Sequence, residues 1–148
     1  MNLRSIKIND LESCAGVFAH VFSSEPWSEP WTSGGAYIRL HHFFESKGFY
    51  GVLAEDNSGR VVGFVLGNKE PFCDGELYYL REMCVDKDLQ KSGIGARLIK
   101  FLEEGLISHG VIGAYLATAK GFPAADFYQK NEYGISEGMV FYNKRLSS

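Results

Sequence analysis

Leu80-Arg81-Glu82-Met83-Cys84-Val85-Asp86-Lys87-Asp88-Leu89-Gln90-Lys91-Ser92-Gly93-Ile94-Gly95 contains the change of period that decides the fold. From Leu77 to Val85 the residues are strand-like, rich in Tyr and apolar side chains. From Ser92 onward Ile94, Leu98, Phe101, Leu102 and Leu106 recur at helical spacing, and Gly110 sits near the helix end. Val111 to Thr118 is then a short apolar run, the kind expected of a strand buried on both sides. Strand, Gly-rich turn, helix and strand over 77–118 make a βαβ unit, which implies a right-handed parallel pair.

Outward from that unit the elements remain legible. Leu3 to Ile8 alternates apolar and polar residues as a first strand does. Asn9 is placed to cap a helix on which Leu11, Cys14, Ala15, Phe18, Val21 and Phe22 share a face. Pro26 and Pro30 interrupt the chain beyond that helix, so SSEPWSEP reads as a loop. Thr32 or Ser33 caps a second helix carrying Ala36, Leu40, Phe43 and Phe44, and Gly48 ends it. Phe49 to Ala54 and Arg60 to Gly67 form a hairpin through the turn Glu55-Asp56-Asn57-Ser58-Gly59. Downstream, Ala124 to Asn131 suggests a short helix and Met139 to Leu146 a closing strand. The fold class expected is α/β, a mixed sheet with antiparallel N-terminal strands and helices on both faces.

Composition removes several functions. A chain of 148 residues fits one domain, 1–148, long enough for a core without staples. Lys and Arg total 15 against 18 Asp and Glu with no long basic run, which argues against nucleic acid as partner. The N-terminus carries Arg4, Lys7 and Asp10 and lacks the apolar core of a signal peptide. The longest uncharged apolar stretch, Gly110 to Ala119, is too short to span a bilayer, so a cytoplasmic, non-membrane protein is expected. Cys14, Cys73 and Cys84 form no CxxC pair and read as reduced thiols. His20, His41, His42 and His109 lack metal-ligand spacing, so no metal is expected.

The turn Gln90-Lys91-Ser92-Gly93-Ile94-Gly95-Ala96 hands a strand over to a helix. Exposed backbone N–H groups and the helix dipole attract phosphate at such a place, and glycine lets the phosphate approach closely. A ligand-free tight turn is the competing reading. The dinucleotide fingerprint is excluded because Gly95 is followed by Ala96, Arg97 and Leu98 rather than a third spaced glycine, and a Walker A loop is absent.

With its second segment, Ala124-Ala125-Asp126-Phe127-Tyr128-Gln129-Lys130, the stretch 80–95 resembles the GNAT-type N-acetyltransferases. The first segment is similar to the family's V-D-P turn followed by Q/R-x-x-G-x-G/A, and the second to its A-x-x-F-Y-x-K. The likeness extends over the chain in element order, with its distinctive residues between 77 and 133. It departs where the family often has Asn, here Gly121, where it has Gly-Phe, here Glu132-Tyr133, and where Pro follows V-D, here Lys87. The resemblance implies a strand with a β-bulge, a splayed central parallel pair, and acetyl-CoA as cosubstrate. It places the pyrophosphate on Lys91, Ser92, Gly93, Ile94, Gly95 and Ala96 after Gln90. It places the pantetheine arm along Met83, Cys84 and Val85, and Tyr128 near the CoA sulfur.

Acetyl transfer to an amine sets the chemistry required. An alkyl amine of pKa about 10.4 is only about 0.04% neutral at pH 7, so a base is needed. Glu82, amid Leu80, Met83 and Cys84, is the candidate base, against a salt bridge to Arg81 or a lysine, or plain exposure at the bulge, as the alternatives. Tyr128 is the candidate acid for the leaving thiolate, against a core aromatic. Trp27, Trp31, Tyr37 and His41 lie where this family often borders its acceptor cleft, and Trp27 and Trp31 equally suit packing of the loop. The activity expected is N-acetylation of a small-molecule or protein amine by direct transfer in a ternary complex; a homodimer is compatible with it. A non-catalytic acyl-CoA sensor is the rival reading.

Overall fold

A computed structural model describes residues 1–147, which divide into two compact units, Met1–Ala117 and the residues from Thr118 onward. The first unit is built on a five-stranded sheet whose strands neighbour one another in chain order. β1 (Asn2–Ser5), β2 (Phe49–Glu55), β3 (Val61–Phe72) and β4 (Gly75–Val85) pair antiparallel, and β5 (Val111–Tyr115) joins β4 in parallel. The mixed sheet and its parallel pair are as expected from the βαβ pattern.

Both faces of the sheet are covered. α1 (Leu11–Phe22) and α2 (Ser33–Glu45) bury Cys14, Phe18, Leu40 and Phe43 in one cluster with Leu53, Phe64, Leu66 and Cys84 of the sheet. α3 (Ile94–Ser108) buries Leu98, Ile99, Leu102 and Leu106. Alternation along β3 separates the two sides: Phe64 and Leu66 belong to the α1–α2 cluster, while Gly63 lies under Leu98 of α3. Burial of a side chain such as Leu or Phe stabilises by about 1.5–3 kcal/mol, so this two-sided packing holds the sheet.

α2 begins as read, the Thr32 hydroxyl accepting from the Gly35 N–H at 3.0 Å. α1 does not. Asn9 falls inside a short 3-10 turn, Ile8–Asp10, and Asp10 accepts the Lys7 N–H at 2.7 Å. Asp10 also takes two hydrogen bonds from Arg4, each 2.8 Å, so its carboxylate ties the start of α1 to β1, and no side chain caps α1.

Two features of β4 position the site. Leu66 pairs with Glu82 and Gly67 with Leu80, which leaves Arg81 as an extra residue, a β-bulge. Gly67 is required there, because a Cβ would collide with the Tyr79 carbonyl oxygen. Secondly, β5 pairs with β4 only from Glu76 to Tyr79. Beyond Tyr79, β4 keeps its neighbour on the β3 side and, among the described residues, has no strand partner on the β5 side.

Two expectations fail. β5 ends at Tyr115 rather than Thr118, and Ile112 (55%) and Tyr115 (41%) are exposed, so it is not buried on both sides. It is the last strand of the described sheet, and an apolar run is buried only where something covers it. In the second unit α4 (Pro123–Lys130) forms, but residues 139–147 carry neither helix nor strand. Met139, Val140, Phe141, Tyr142 and Leu146 are exposed there. Apolar and aromatic residues favour an extended chain, yet a strand needs a ladder partner, which local sequence does not supply. Among the described residues no helix is long and apolar enough to cross a membrane.

Candidate active site

The turn between β4 and α3 is held by its own side chains. Asp86 accepts the Asp88 N–H at 3.1 Å and the Arg60 Nη1–H at 3.0 Å, and the Asp86 N–H donates to Val62 at 2.8 Å. Gln90 Nε2 donates to the Val85 carbonyl at 3.0 Å, and the Ser92 hydroxyl donates to the Leu89 carbonyl. Lys91 (φ +65°) and Gly93 (φ +88°) take left-handed conformations that aim the chain into α3. No side chain caps α3 and no acidic residue occupies its first turn, so its leading N–H groups stay without side-chain acceptors. A Cβ on Gly93 would meet nothing within 4 Å: the space above the turn is open. Ile94 is buried and anchors the helix, leaving only its backbone for a ligand. Of residues 90–96, Gln90 and Ser92 spend their side chains on the turn itself, and the backbone amides remain.

Met83, Cys84 and Val85 pair with Val65, Phe64 and Gly63 of β3, so the edge they offer is the one that β5 abandons. Cys84 is buried and desolvation pushes its thiol well above the ordinary range, which keeps it protonated.

Glu82 follows the bulge, with its side chain 12% exposed. Arg39 Nε donates to its Oε1 at 2.7 Å. Burial pushes the carboxyl up and the Arg39 hydrogen bond pulls it down; burial is the larger effect, and the group titrates above its ordinary value.

The aromatic loop separates into two roles. Trp27 packs edge-on against Phe22 at 5.3 Å and Trp31 against Phe18 at 5.0 Å, so both rings brace the core. Trp31 also lines a groove of about 330 Å³ with Glu29 and Pro30, donating its Nε1–H to Glu29 at 2.9 Å. Tyr37 stacks on His41 at 5.6 Å, and His41 Nδ1 lies 3.3 Å from Glu45, away from that groove's lining. Tyr128, in the second unit, is half-buried, its ring against Phe127 at 5.3 Å and Tyr133 at 5.8 Å. Among the described residues no group of His, Cys, Asp and Glu could hold a metal.

Sequence reasoning missed Arg39 and offered Arg81 only as an ion-pair partner of Glu82, a place that Arg39 takes. Arg39 Cζ stands 4.9 Å from the Phe43 ring centroid and Arg81 Cζ 5.1 Å from the same centroid. The spacing of Arg39 and Phe43, four apart on α2, was the available signal for a shared face; the bulge that aims Arg81 was not readable from its neighbours.

A family model described as Acetyltransferase (GNAT) family matches residues 18–133. No curated protein matches the chain. Among solved structures, an aminoglycoside acetyltransferase from an uncultured soil metagenomic sample, in complex with sisomicin, is 21% identical with a TM-score of 0.76, over 99% of this chain and 96% of that one. An integron cassette protein from the mobile metagenome of V. cholerae is 17% identical with a TM-score of 0.80, over 97% and 91%. A Trypanosoma brucei acetyltransferase is 19% identical with a TM-score of 0.70, over 97% and 99%. At these identities the three establish a shared fold.

Proposed function

Residues 18–133 place the chain in the Acetyltransferase (GNAT) family; it is an acetyltransferase, and we propose that it carries acetyl from acetyl-CoA to a primary amine by direct transfer in a ternary complex. One observation carries this reading. A largely buried carboxylate, Glu82, stands at the bulge of a strand whose edge loses its neighbour three residues earlier.

The residues fit acetyl-CoA. The uncapped amides of Lys91 to Ala96 at the head of α3 suit its pyrophosphate, and the open space over Gly93 admits it. The edge of Met83, Cys84 and Val85 that β5 leaves, with the Val85 carbonyl already taken by Gln90, suits hydrogen bonding to the amide groups of the pantetheine arm. When bound, the cosubstrate supplies the activated acyl group. Glu82 takes a proton from the amine, for which a raised pKa makes its carboxylate a stronger base than an ordinary one. Amide N–H groups on the same edge are the donors for charge developing on the carbonyl oxygen. Tyr128 gives a proton to the leaving thiolate. Cys84, buried and held as thiol, is not an acyl carrier, which favours direct attack.

The soil enzyme's complex with sisomicin supports a small-molecule amine as acceptor. We assign the activity to residues 1–148 working as one N-acetyltransferase domain in the cytoplasm. An amine screen with thiol release as readout tests the reading; release no faster than hydrolysis with every amine would leave only acyl-CoA binding. Gly93→Val tests the phosphate site. Gly110 offers a matched control, having φ +82° and an equally open Cβ just past the far end of α3. Both variants should strain the backbone alike, and only Gly93→Val should weaken acetyl-CoA binding by calorimetry. Tyr128→Phe should lower kcat more than acetyl-CoA affinity, and a thioester with a more acidic thiol should recover part of the loss.

A further inference from the structure

Two guanidinium groups converge on one ring beside Glu82. Arg39 and Arg81 each approach the Phe43 centroid, at 4.9 and 5.1 Å, so their charges are separated by no more than those two distances together. Arg81 also lies 4.3 Å over Tyr79, and Arg39 5.8 Å from Trp31. The bulge makes this possible. Consecutive residues of a regular strand point to opposite faces, whereas Arg81 and Glu82 both reach α2, one to Phe43 and the other to Arg39.

The charges in this cluster are not locally satisfied. Glu82 engages Arg39 through Nε alone. Among the described residues no carboxylate meets the other N–H groups of Arg39, and Arg81 has neither hydrogen bond nor ion pair. Ring contacts use no N–H donor in a conventional hydrogen bond, so the remaining guanidinium N–H groups keep their hydrogen-bonding capacity. Once Glu82 accepts a proton, Arg39 loses the carboxylate it is paired with, and two cations remain about the same ring. On the groove side stands Glu29, whose carboxylate accepts from Trp31. Arginine forks with open donors, next to carboxylates suited to an ammonium, describe a site for a molecule carrying both charges.

We propose that Arg81, with the N–H groups of Arg39 that Glu82 does not use, binds a carboxylate of the acceptor, so that the substrate is an amine bearing its own carboxylate within a few bonds of the nitrogen. The proposal rests on amine acetylation at Glu82 and specifies which amines. A carboxylate matches the planar fork of Arg in two parallel hydrogen bonds, and it neutralises the charge left when Glu82 is protonated. The ammonium end is then directed toward Glu82.

Matched acceptors test it. Thiol release is measured with an α-amino acid, its primary amide and the amine lacking the carboxyl group, for several side chains. Calorimetry measures binding of the same compounds to enzyme saturated with CoA. The acid should exceed its amide and amine by about 10- to 100-fold in kcat/KM, the range of a charge-assisted hydrogen bond. Arg81→Met keeps an apolar stem on Tyr79 and Phe43 and should bring that ratio near one; Arg81→Lys should retain part of it. If amides or plain amines match the acids, or the ratio survives in folded Arg81→Met, the carboxylate site is wrong while acetyl transfer stands. If no compound releases thiol, the transfer reading fails separately and calorimetry decides. Binding that needs the carboxylate and is lost in Arg81→Met supports the site, and its absence overturns it.

Discussion

Two arginines of the first unit, Arg4 and Arg39, meet carboxylates with opposite effect. Arg4, on β1, forks onto Asp10 with two hydrogen bonds of 2.8 Å and onto Glu55 with bonds of 3.0 and 3.2 Å. Asp10 and Glu55 are both held below their ordinary range, in each case chiefly by the Arg4 hydrogen bonds. Arg39 gives Glu82 one hydrogen bond of 2.7 Å, and there burial wins and the carboxyl is pushed up. The same two residue types thus produce a fastening in one place and a titratable group in the other. What differs is the number of donors set against the water removed. Both places have an irregular ladder, a register shift at Glu55 and a bulge at Arg81, and only beside Glu82 does a neighbouring strand also depart.

The contrast can be tested at either end. Glu82→Gln should have the largest effect, a fall in kcat of roughly 10²-fold, the low end for a general base. The acidic limb of the wild-type rate profile should lie above pH 4.5, the ordinary value from which Glu82 is raised, and should vanish in the variant. A variant profile that keeps this limb transfers the role to water or another residue.

Gly67→Ala tests the bulge itself. Its Cβ would press on the Tyr79 carbonyl, and relief requires the strands to shift at Arg81 and Glu82. A loss of about 2 kcal/mol in chemical denaturation is expected, within the range for overpacking, with kcat falling as well because the base is re-aimed. Unchanged turnover in a destabilised variant would separate the bulge from the chemistry.

Asp10→Asn works on the fastening. It should lower stability by about 1 kcal/mol and leave kcat as it was, since a partly exposed pair is weakened by solvent. A drop in kcat at constant affinity would mean the two pairs are coupled.

The smallest effect is the pH dependence of stability. Asp10 lies below its ordinary 3.8 in the folded chain and Asp56 is lowered to about 2, so their contribution is complete above pH 3.8. It should fade as the pH drops toward 2, where the folded carboxylates take up protons. Glu82 acts in the opposite sense, because its raised carboxyl favours the folded state more when protonated. Thermal melts of Asp10→Asn and Glu82→Gln between pH 2 and 6 should change the wild-type slope in opposite directions.

Features that depend on near neighbours were legible in the sequence. The helical spacing of Leu98, Leu102 and Leu106, the Thr32 cap, the hairpin through Asp56 and the glycine turn into α3 all follow from local periodicity and turn chemistry. The acetyltransferase resemblance was legible for the same reason, because a motif is a local pattern. Other features came from the folded chain. Arg81 reaches Phe43 of α2 because β3 and β4 slip by one residue at Gly67. Asn9 fell inside a 3-10 turn whose Asp10 is tied to Arg4, α1 was left without a side-chain cap, and β5 stayed at the exposed margin. Met139 to Leu146, extended in pattern, found no ladder. Register, burial and charge pairing join residues that can lie dozens of positions apart, and no window of local sequence contains both partners.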